Sequence, residues 1–224
     1  MAKPDATPVT IEIDDEPKVS GLLIAPKAAR AIYVLAHGAG AGMTHPFLAK
    51  FAALLADRGI ATLRYQFPYM EVGSRRPDSP RVAEATVRAA VAEARKRKLP
   101  VFAGGKSFGG RMTSGAEGHS AMGVLGLAFL GFPLHPPGAP ATTRADHLAD
   151  VTVPMLFLQG TNDEFAQLDL LKPVVKKLGK TATLHLIEAG NHSFRVPAKT
   201  GRKEPEVMAE LADTLVAWMD GLIG

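Results

Sequence analysis

The sequence alternates short runs that are apolar at almost every position with stretches of helical periodicity. The run at 31–36 is typical, and it is followed at 46–58 by a stretch in which Phe47, Phe51 and Leu54 recur at helical spacing before Gly59. A strand without a polar face must be covered on both sides. The alternation therefore predicts an α/β protein with a mainly parallel sheet and helices on both faces.

The same pattern extends over the chain and predicts eight strands. Two segments with alternating polarity flank the acidic turn at 14–17, which indicates an antiparallel hairpin at the start of the sheet. The predicted strands are 9–13, 19–24, 31–36, 60–65, 101–104, 124–130, 155–159 and 183–188. The predicted helices are 46–58, 80–98, 108–118, 144–149, 165–178 and 204–222.

Composition excludes several classes of site. A chain of 224 residues with 46% hydrophobic content is expected to form one domain, 1–224. The absence of cysteine excludes disulfides, thiolate catalysis and thiolate metal ligands. The histidines lack the helical pair spacing of a metal site, and no phosphate-binding loop is present, so neither a metal nor a nucleotide cofactor is expected.

Charge and hydropathy bear on the partners and the compartment expected for this chain. The net charge of +4 comes largely from patches such as 95–98 at predicted helix ends, where water and the helix dipole favour cations. No aromatic residues are interleaved with them, so nucleic-acid binding is not expected. Residues 1–10 lack the apolar core of a secretory signal, and the longest apolar run, 124–134, is too short to span a bilayer. We expect a soluble, cytoplasmic protein without a membrane partner.

The segment Gly105-Lys106-Ser107-Phe108-Gly109 joins a predicted strand to a predicted helix. This is the layout of a nucleophile elbow, in which a serine occupies a strained turn and presents its hydroxyl above the sheet. Glycine is needed on both sides because a Cβ atom there would collide with neighbouring backbone. An N-cap of the following helix is the alternative role for Ser107, but the paired glycines favour the nucleophile.

A serine nucleophile needs a histidine base and a carboxylate that orients it. Asp163 follows the strand at 155–159, and His192 follows the strand at 183–188. Parallel strands deliver their loops to one sheet edge, so Ser107, Asp163 and His192 are expected to meet there. Glu164 is the alternative acid and His185 the alternative base, but His185 lies inside a predicted strand. His37 is interpreted as a residue that shapes its loop through backbone hydrogen bonds.

The chain resembles the α/β-hydrolases, specifically the small lidless branch related to dienelactone hydrolases. The motifs that carry this resemblance are His-Gly-Ala-Gly at 37–40, Gly-Gly-Lys-Ser-Phe-Gly-Gly at 104–110, Gly-Thr-Asn-Asp at 160–163 and Gly-Asn-His-Ser-Phe at 190–194. The resemblance implies the α/β-hydrolase fold without a cap domain, and an oxyanion hole formed by the backbone N–H groups of Ala39 and Phe108. Dienelactone hydrolases use a cysteine nucleophile, whereas this chain has Ser107, so a dienelactone substrate is not implied.

Two loops are candidates for substrate contact. The loop after the strand at 60–65 contributes Phe67, Tyr69, Arg75 and Arg76. The guanidinium groups of the two arginines could bind an acidic group of the substrate. The proline-rich loop after 124–130 contributes His135 and is too short to form a cap, so we expect an open cleft.

The predicted activity is hydrolysis of a carboxylic ester, or of a thioester, on a small-molecule substrate through an acyl-enzyme intermediate. A peptidase or amidase with the same triad is one alternative. A catalytically idle interaction module, binding nucleic acid through its basic surface, is another. The oligomeric state is not determined by the sequence.

Overall fold

The computed structural model describes residues 5–224, which contain one eight-stranded sheet. Residues 1–4, the start of the segment in which no secretory signal is expected, lie outside the described residues. The strands are β1 (Thr7–Ile13), β2 (Glu16–Ile24), β3 (Ala31–Ala36), β4 (Ile60–Tyr65), β5 (Val101–Lys106), β6 (Leu127–Leu130), β7 (Met155–Gly160) and β8 (Ala182–Ile187).

Six α-helices accompany the described strands. They are α1 (Pro46–Asp57), α2 (Pro68–Glu71), α3 (Pro80–Arg95), α4 (Phe108–His119), α5 (Leu168–Leu178) and α6 (Glu204–Ile223). Short 3₁₀ segments occupy Thr143–Asp150, Gly179–Thr181 and Ala198–Thr200. Proline in the first turn of four helices, α1, α2, α3 and α6, fixes the starting geometry where no backbone donor is needed.

The strand order is β1-β2-β4-β3-β5-β6-β7-β8, and every pair from β4 to β8 is parallel. Strands β1 and β2 form the predicted antiparallel hairpin, and β2 is also antiparallel to β4. Between β6 and β7 the described chain carries only one 3₁₀ segment and no cap domain. These features confirm the predicted fold class.

Strand β3 explains why helices cover both faces. Its side chains alternate between two hydrophobic clusters, with Ile32 and Val34 in one and Tyr33 and Leu35 in the other, and all four are buried. The first cluster lies under α3, α4 and α5, and the second lies under α1 and α6. None of the helices in residues 5–224 combines the length and apolarity needed to cross a membrane.

Several predicted boundaries differ from those in the structure. Strand β6 begins at Leu127 and not at 124, because the chain bends at the exposed Leu125 before Gly126 passes against the Trp218 ring. Helix α5 begins at Leu168 and not at Phe165, because the amides of Phe165 and Ala166 both donate to Asp163 and form a turn. The short helix α2 was not predicted, although Pro68 after Phe67 was a possible signal for it.

The β5–α4 turn holds Ser107 in an uncommon conformation, with φ at +50°. The turn fits because the backbone of β3 passes very close to it. A Cβ atom on Gly105 would lie 2.5 Å from the carbonyl oxygen of Ala36, and one on Gly109 would lie 2.6 Å from that of His37. Glycine on both sides of the serine is therefore required by contact with the neighbouring strand and the loop that follows it.

Gly109→Ala tests this contact against helix propensity, which by itself favours alanine. The new methyl group would meet rigid backbone, so the free energy of unfolding should fall by about 1–3 kcal/mol. Gly221→Ala in α6 is the matched control, since its Cβ would meet nothing within 4 Å, and it should be neutral or stabilising by about 0.5 kcal/mol. Urea denaturation measures both, and equal stability of the two variants would contradict the proposed constraint.

Candidate active site

Ser107, His192 and Asp163 form a hydrogen-bonded chain at the carboxyl edge of the sheet. His192 Nε2 lies 2.9 Å from Ser107 Oγ, and His192 Nδ1 lies 2.7 Å from Asp163 Oδ2 and 2.9 Å from Oδ1. With its proton on Nδ1, the imidazole donates to the carboxylate and accepts from the hydroxyl. This arrangement allows the histidine to remove the serine proton.

The loop after β7 fixes the Asp163 carboxylate, whose side chain has no exposed surface. The Phe165 backbone N–H donates to Oδ1, and the buried Gln159 side chain donates to Oδ2. The side-chain oxygen Oε1 of Gln159 in turn accepts a hydrogen bond from the backbone N–H of Phe132. These bonds satisfy the buried carboxylate and orient it toward the imidazole.

The loop after β8 carries His192 and packs directly on the loop of Asp163. The Asn162 backbone N–H donates to the Gly190 carbonyl over 2.8 Å, and a Cβ on Gly160 would lie 2.2 Å from the same oxygen. Asn191 folds the loop around the histidine, because its side-chain oxygen accepts from the backbone N–H groups of Ser193 and Arg195. The separation of acid and base is therefore set by backbone contacts between the two loops.

The alternative acid and base lie elsewhere. Glu164 is exposed, and no hydrogen bond joins it to His192. His185 lies within β8, is hydrogen-bonded to Glu210 of α6 at 2.8 Å, and does not line the cleft. His37 has the predicted structural role: Nδ1 donates to the Gly38 carbonyl, Nε2 accepts from the backbone N–H of Phe67, and burial lowers its pKa to about 4.

The loop that carries Ala39 approaches the serine. A Cβ atom on Gly38 would lie 3.7 Å from Ser107 Cβ, and Ala39 lines the same cleft as Ser107. Among the described residues, the backbone N–H groups of Ala39 and Phe108 have no hydrogen-bond acceptor. Both donors are therefore free for a ligand. Their use as an oxyanion hole remains a prediction.

The predicted substrate contacts from the loop after β4 do not line the cleft. Phe67 has no exposed surface, and its ring packs edge-on against His37 and Phe108, so in this structure it does not reach the cleft. Tyr69 is also buried, and its hydroxyl accepts a 2.9 Å hydrogen bond from the Gly40 N–H. Both residues stabilise the loop of Ala39 through these contacts with His37 and Gly40. Arg75 and Arg76 are exposed on the chain between α2 and α3, outside the cleft.

His135, another predicted substrate contact, has a supporting position and does not line the cleft. It is buried, and its Nε2 accepts from the Gln167 backbone N–H while its own backbone N–H donates to the Phe165 carbonyl. The centroid of the Phe165 ring lies 4.2 Å from the centroid of the His192 imidazole. His135 therefore holds the turn that presents an aromatic face to the candidate base.

A cleft of about 570 Å³ opens over Ser107 and His192. Its walls are largely apolar and come from residues that the sequence analysis did not assign to the site: Phe47, Leu48, Phe165, Phe194 and Met208. Phe47 and Phe194 stack with ring centroids 6.0 Å apart. The position of Phe194, two residues after His192, was the signal available in the sequence, whereas Met208 of α6 reaches the cleft only through folding.

The rim of the cleft carries one ion pair, and the described residues contain no metal-ligating cluster. On the rim, Lys50 of α1 and Glu204 of α6 form an exposed ion pair with a 2.7 Å separation. No cluster of three or more metal-ligating side chains occurs within residues 5–224. The site as described is therefore built from a serine, a histidine, a carboxylate and an apolar cleft.

Comparisons with known proteins agree with this architecture. Residues 29–220 match the family model described as "Alpha/beta hydrolase domain". The chain is similar to a dienelactone hydrolase from Anabaena variabilis, with a TM-score of 0.77, 19% identity and 99% of both chains covered. It is similar to a lidless α/β serine hydrolase from Xanthomonas campestris, with a TM-score of 0.74, 18% identity, and 96% of this chain and 95% of that one covered.

A third similar structure holds a ligand. It is Est1E from Butyrivibrio proteoclasticus with ferulic acid bound, with a TM-score of 0.71, 18% identity, and 93% of this chain and 99% of that one covered. At these identities the likeness concerns the fold.

The environment of His192 predicts its titration. Burial lowers its pKa below the ordinary value near 6.5, and the nearby Lys106 acts in the same direction, while the hydrogen bond to Asp163 opposes both. We expect the imidazole to titrate below pH 6.5 in an NMR pH series. Because the unfolded chain then binds this proton more readily, His192 should make the free energy of unfolding rise with pH until about 6.5. A midpoint above 6.5 would contradict this balance.

Proposed function

The chain belongs to the α/β hydrolase domain family, and on that premise we propose that it is a serine hydrolase that cleaves carboxylic esters, thioesters included, through an acyl-enzyme intermediate. The observation that carries the proposal is the hydrogen-bonded chain Ser107–His192–Asp163 at the floor of the cleft. The order of serine, acid and base along the chain is the order expected for this fold.

Each group has a defined part in the proposed reaction. Ser107 Oγ attacks the ester carbonyl carbon as its proton passes to His192 Nε2, and Asp163 stabilises the imidazolium that forms. The negative charge on the former carbonyl oxygen is placed near the free N–H groups of Ala39 and Phe108, which stabilise it. The imidazolium then protonates the leaving alcohol or thiol. A water molecule, deprotonated by the same histidine, hydrolyses the acyl-serine.

The cleft favours an apolar acyl group. Phenylalanine, leucine and methionine side chains form much of its wall, charged side chains lie at the rim, and its volume of about 570 Å³ accommodates a small substrate. No cap domain covers it among the described residues, so the leaving group can protrude into solvent. The aromatic acid bound by the Est1E structure is consistent with an aryl or short alkyl acyl group here.

Replacement of the nucleophile tests the mechanism. Ser107→Ala should reduce turnover of p-nitrophenyl acetate by roughly 10⁴-fold, because the attacking oxygen is lost, and should abolish labelling by a fluorophosphonate probe. Ser114→Ala is the matched control, since Ser114 Oγ also lies 2.8 Å from a histidine nitrogen but is buried in α4. It should keep the label. A native protein that neither turns over esters nor reacts with the probe would instead support an idle interaction module.

Truncation of the cleft wall tests the acyl site. Phe47→Ala should raise KM for a p-nitrophenyl butyrate or cinnamate ester by about tenfold, which corresponds to loss of part of a buried aromatic contact. The acetate ester should be affected much less. Leu54→Ala is the control, because Leu54 lies on the same helix and packs on the core outside the cleft. Equal effects of Phe47→Ala on all three esters would place the acyl group elsewhere.

A further inference from the structure

Lys106 is a buried cation directly before the candidate nucleophile. It ends β5, and its aliphatic stem lines the cleft beside Gly38. Its ammonium group does not reach the cleft: Nζ is buried and has no hydrogen-bond partner among the described residues. A buried ammonium without a partner is costly, so its position needs a compensating interaction.

The ammonium lies beside the histidine and the acid. All three groups surround one point, the position that a Cβ atom on Gly131 would occupy. That point is 3.0 Å from Lys106 Nζ, 3.4 Å from His192 Nδ1 and 3.5 Å from Asp163 Oδ2. The absence of a side chain at Gly131 therefore allows the lysine to approach the His192–Asp163 pair within the protein interior. The Phe194 ring, with its centroid 5.6 Å from Nζ, forms another wall.

The lysine is charged while His192 titrates. Burial lowers the pKa of Lys106 to about 8, and the attraction of the Asp163 carboxylate limits that fall. At pH 7 the buried lysine therefore carries a positive charge beside Asp163. A second positive charge, on the imidazole, would be repelled by the first.

We propose that the Lys106 ammonium is a positioning residue of the triad: it keeps the His192 imidazole neutral beside the Asp163 carboxylate until Ser107 attacks. The proposal rests on the proposed serine hydrolase function. When the serine proton reaches Nε2, the same ammonium makes the imidazolium a stronger acid, and so favours delivery of that proton to the leaving group. The cost is a somewhat weaker base during attack.

Other charges around His192 are placed less well for this role. Glu164, in the acid loop, is exposed and acts in the opposite direction. Three further basic residues line the cleft. Lys50 of α1 is paired with Glu204 of α6, and the other two are His45, directly before α1, and the exposed Arg195 in the loop of His192. Water screens these rim charges. Lys106 is the described cation that acts on the imidazole from within the protein.

The test is the titration of His192 by NMR in a Ser107→Ala background, which needs no turnover. Lys106→Met and Lys106→Gln remove the charge and should raise the His192 midpoint by about one pH unit. Lys106→Arg keeps the charge and should leave the midpoint near that of the parent. Lys96→Met, which removes an exposed cation with 70% of its side chain accessible, should also leave it unchanged. Two neutral replacements are used so that a folding defect in one leaves a second measurement.

The pH profile of kcat/KM for p-nitrophenyl acetate, with Ser107 intact, should show the same displacement of its acidic limb in both neutral variants. Coincident His192 midpoints in the parent and the neutral variants would overturn the proposal, as would an arginine variant that moves with them. A native chain without esterase activity would overturn the proposed function but not the titration result, because the two measurements are independent.

Discussion

The close passage of β3 against the β5–α4 turn is the constraint on which the site depends. Gly105 and Gly109 meet the backbone of Ala36 and His37 at distances that leave no room for a side chain. This contact brings two loops together. One holds Ser107 in its strained conformation, and the other begins at His37 and carries the free N–H group of Ala39. The candidate nucleophile and a candidate oxyanion donor are therefore brought together by one contact between backbone segments.

The groups around the site support it in two different ways. Phe67, Tyr69 and His135 have little or no exposed surface and hold backbone segments, through ring packing or through bonds to backbone N–H groups. Gln159 and Lys106 are close to the charged group of Asp163. Gln159 donates a hydrogen bond to this carboxylate, and the Lys106 ammonium lies beside it without a hydrogen bond. An enclosed carboxylate needs such support because water cannot solvate it. The arrangement leaves the serine and the imidazole at the floor of a cleft whose wall is largely apolar and whose rim carries the Lys50–Glu204 ion pair.

Part of the cleft wall comes from elements that do not carry the triad. The loops after β7 and β8 supply Phe165 and Phe194, whereas Phe47 and Leu48 come from α1 and Met208 from α6. Changes on α1 and α6 can therefore alter the shape of the cleft without moving the hydrogen bonds among Ser107, His192 and Asp163. One hydrogen-bonded centre can then be combined with clefts of different shape, which agrees with function being determined by the site and not by the fold.

The sequence alone was enough to predict the succession of the eight strands, the helices other than α2, the bounds of β3 and β4, and the three loops that meet at the sheet edge. Those features are local, since they depend on the periodicity of a short segment and on the residue that ends it. The start of β6, the buried positions of Phe67 and His135, and the ammonium of Lys106 beside His192 could not be predicted, because they arise from tertiary contacts. Each depends on a contact with a residue far along the chain, such as Trp218 against Gly126 or Gly131 against Lys106. No pattern within a segment reports what will pack on it from elsewhere.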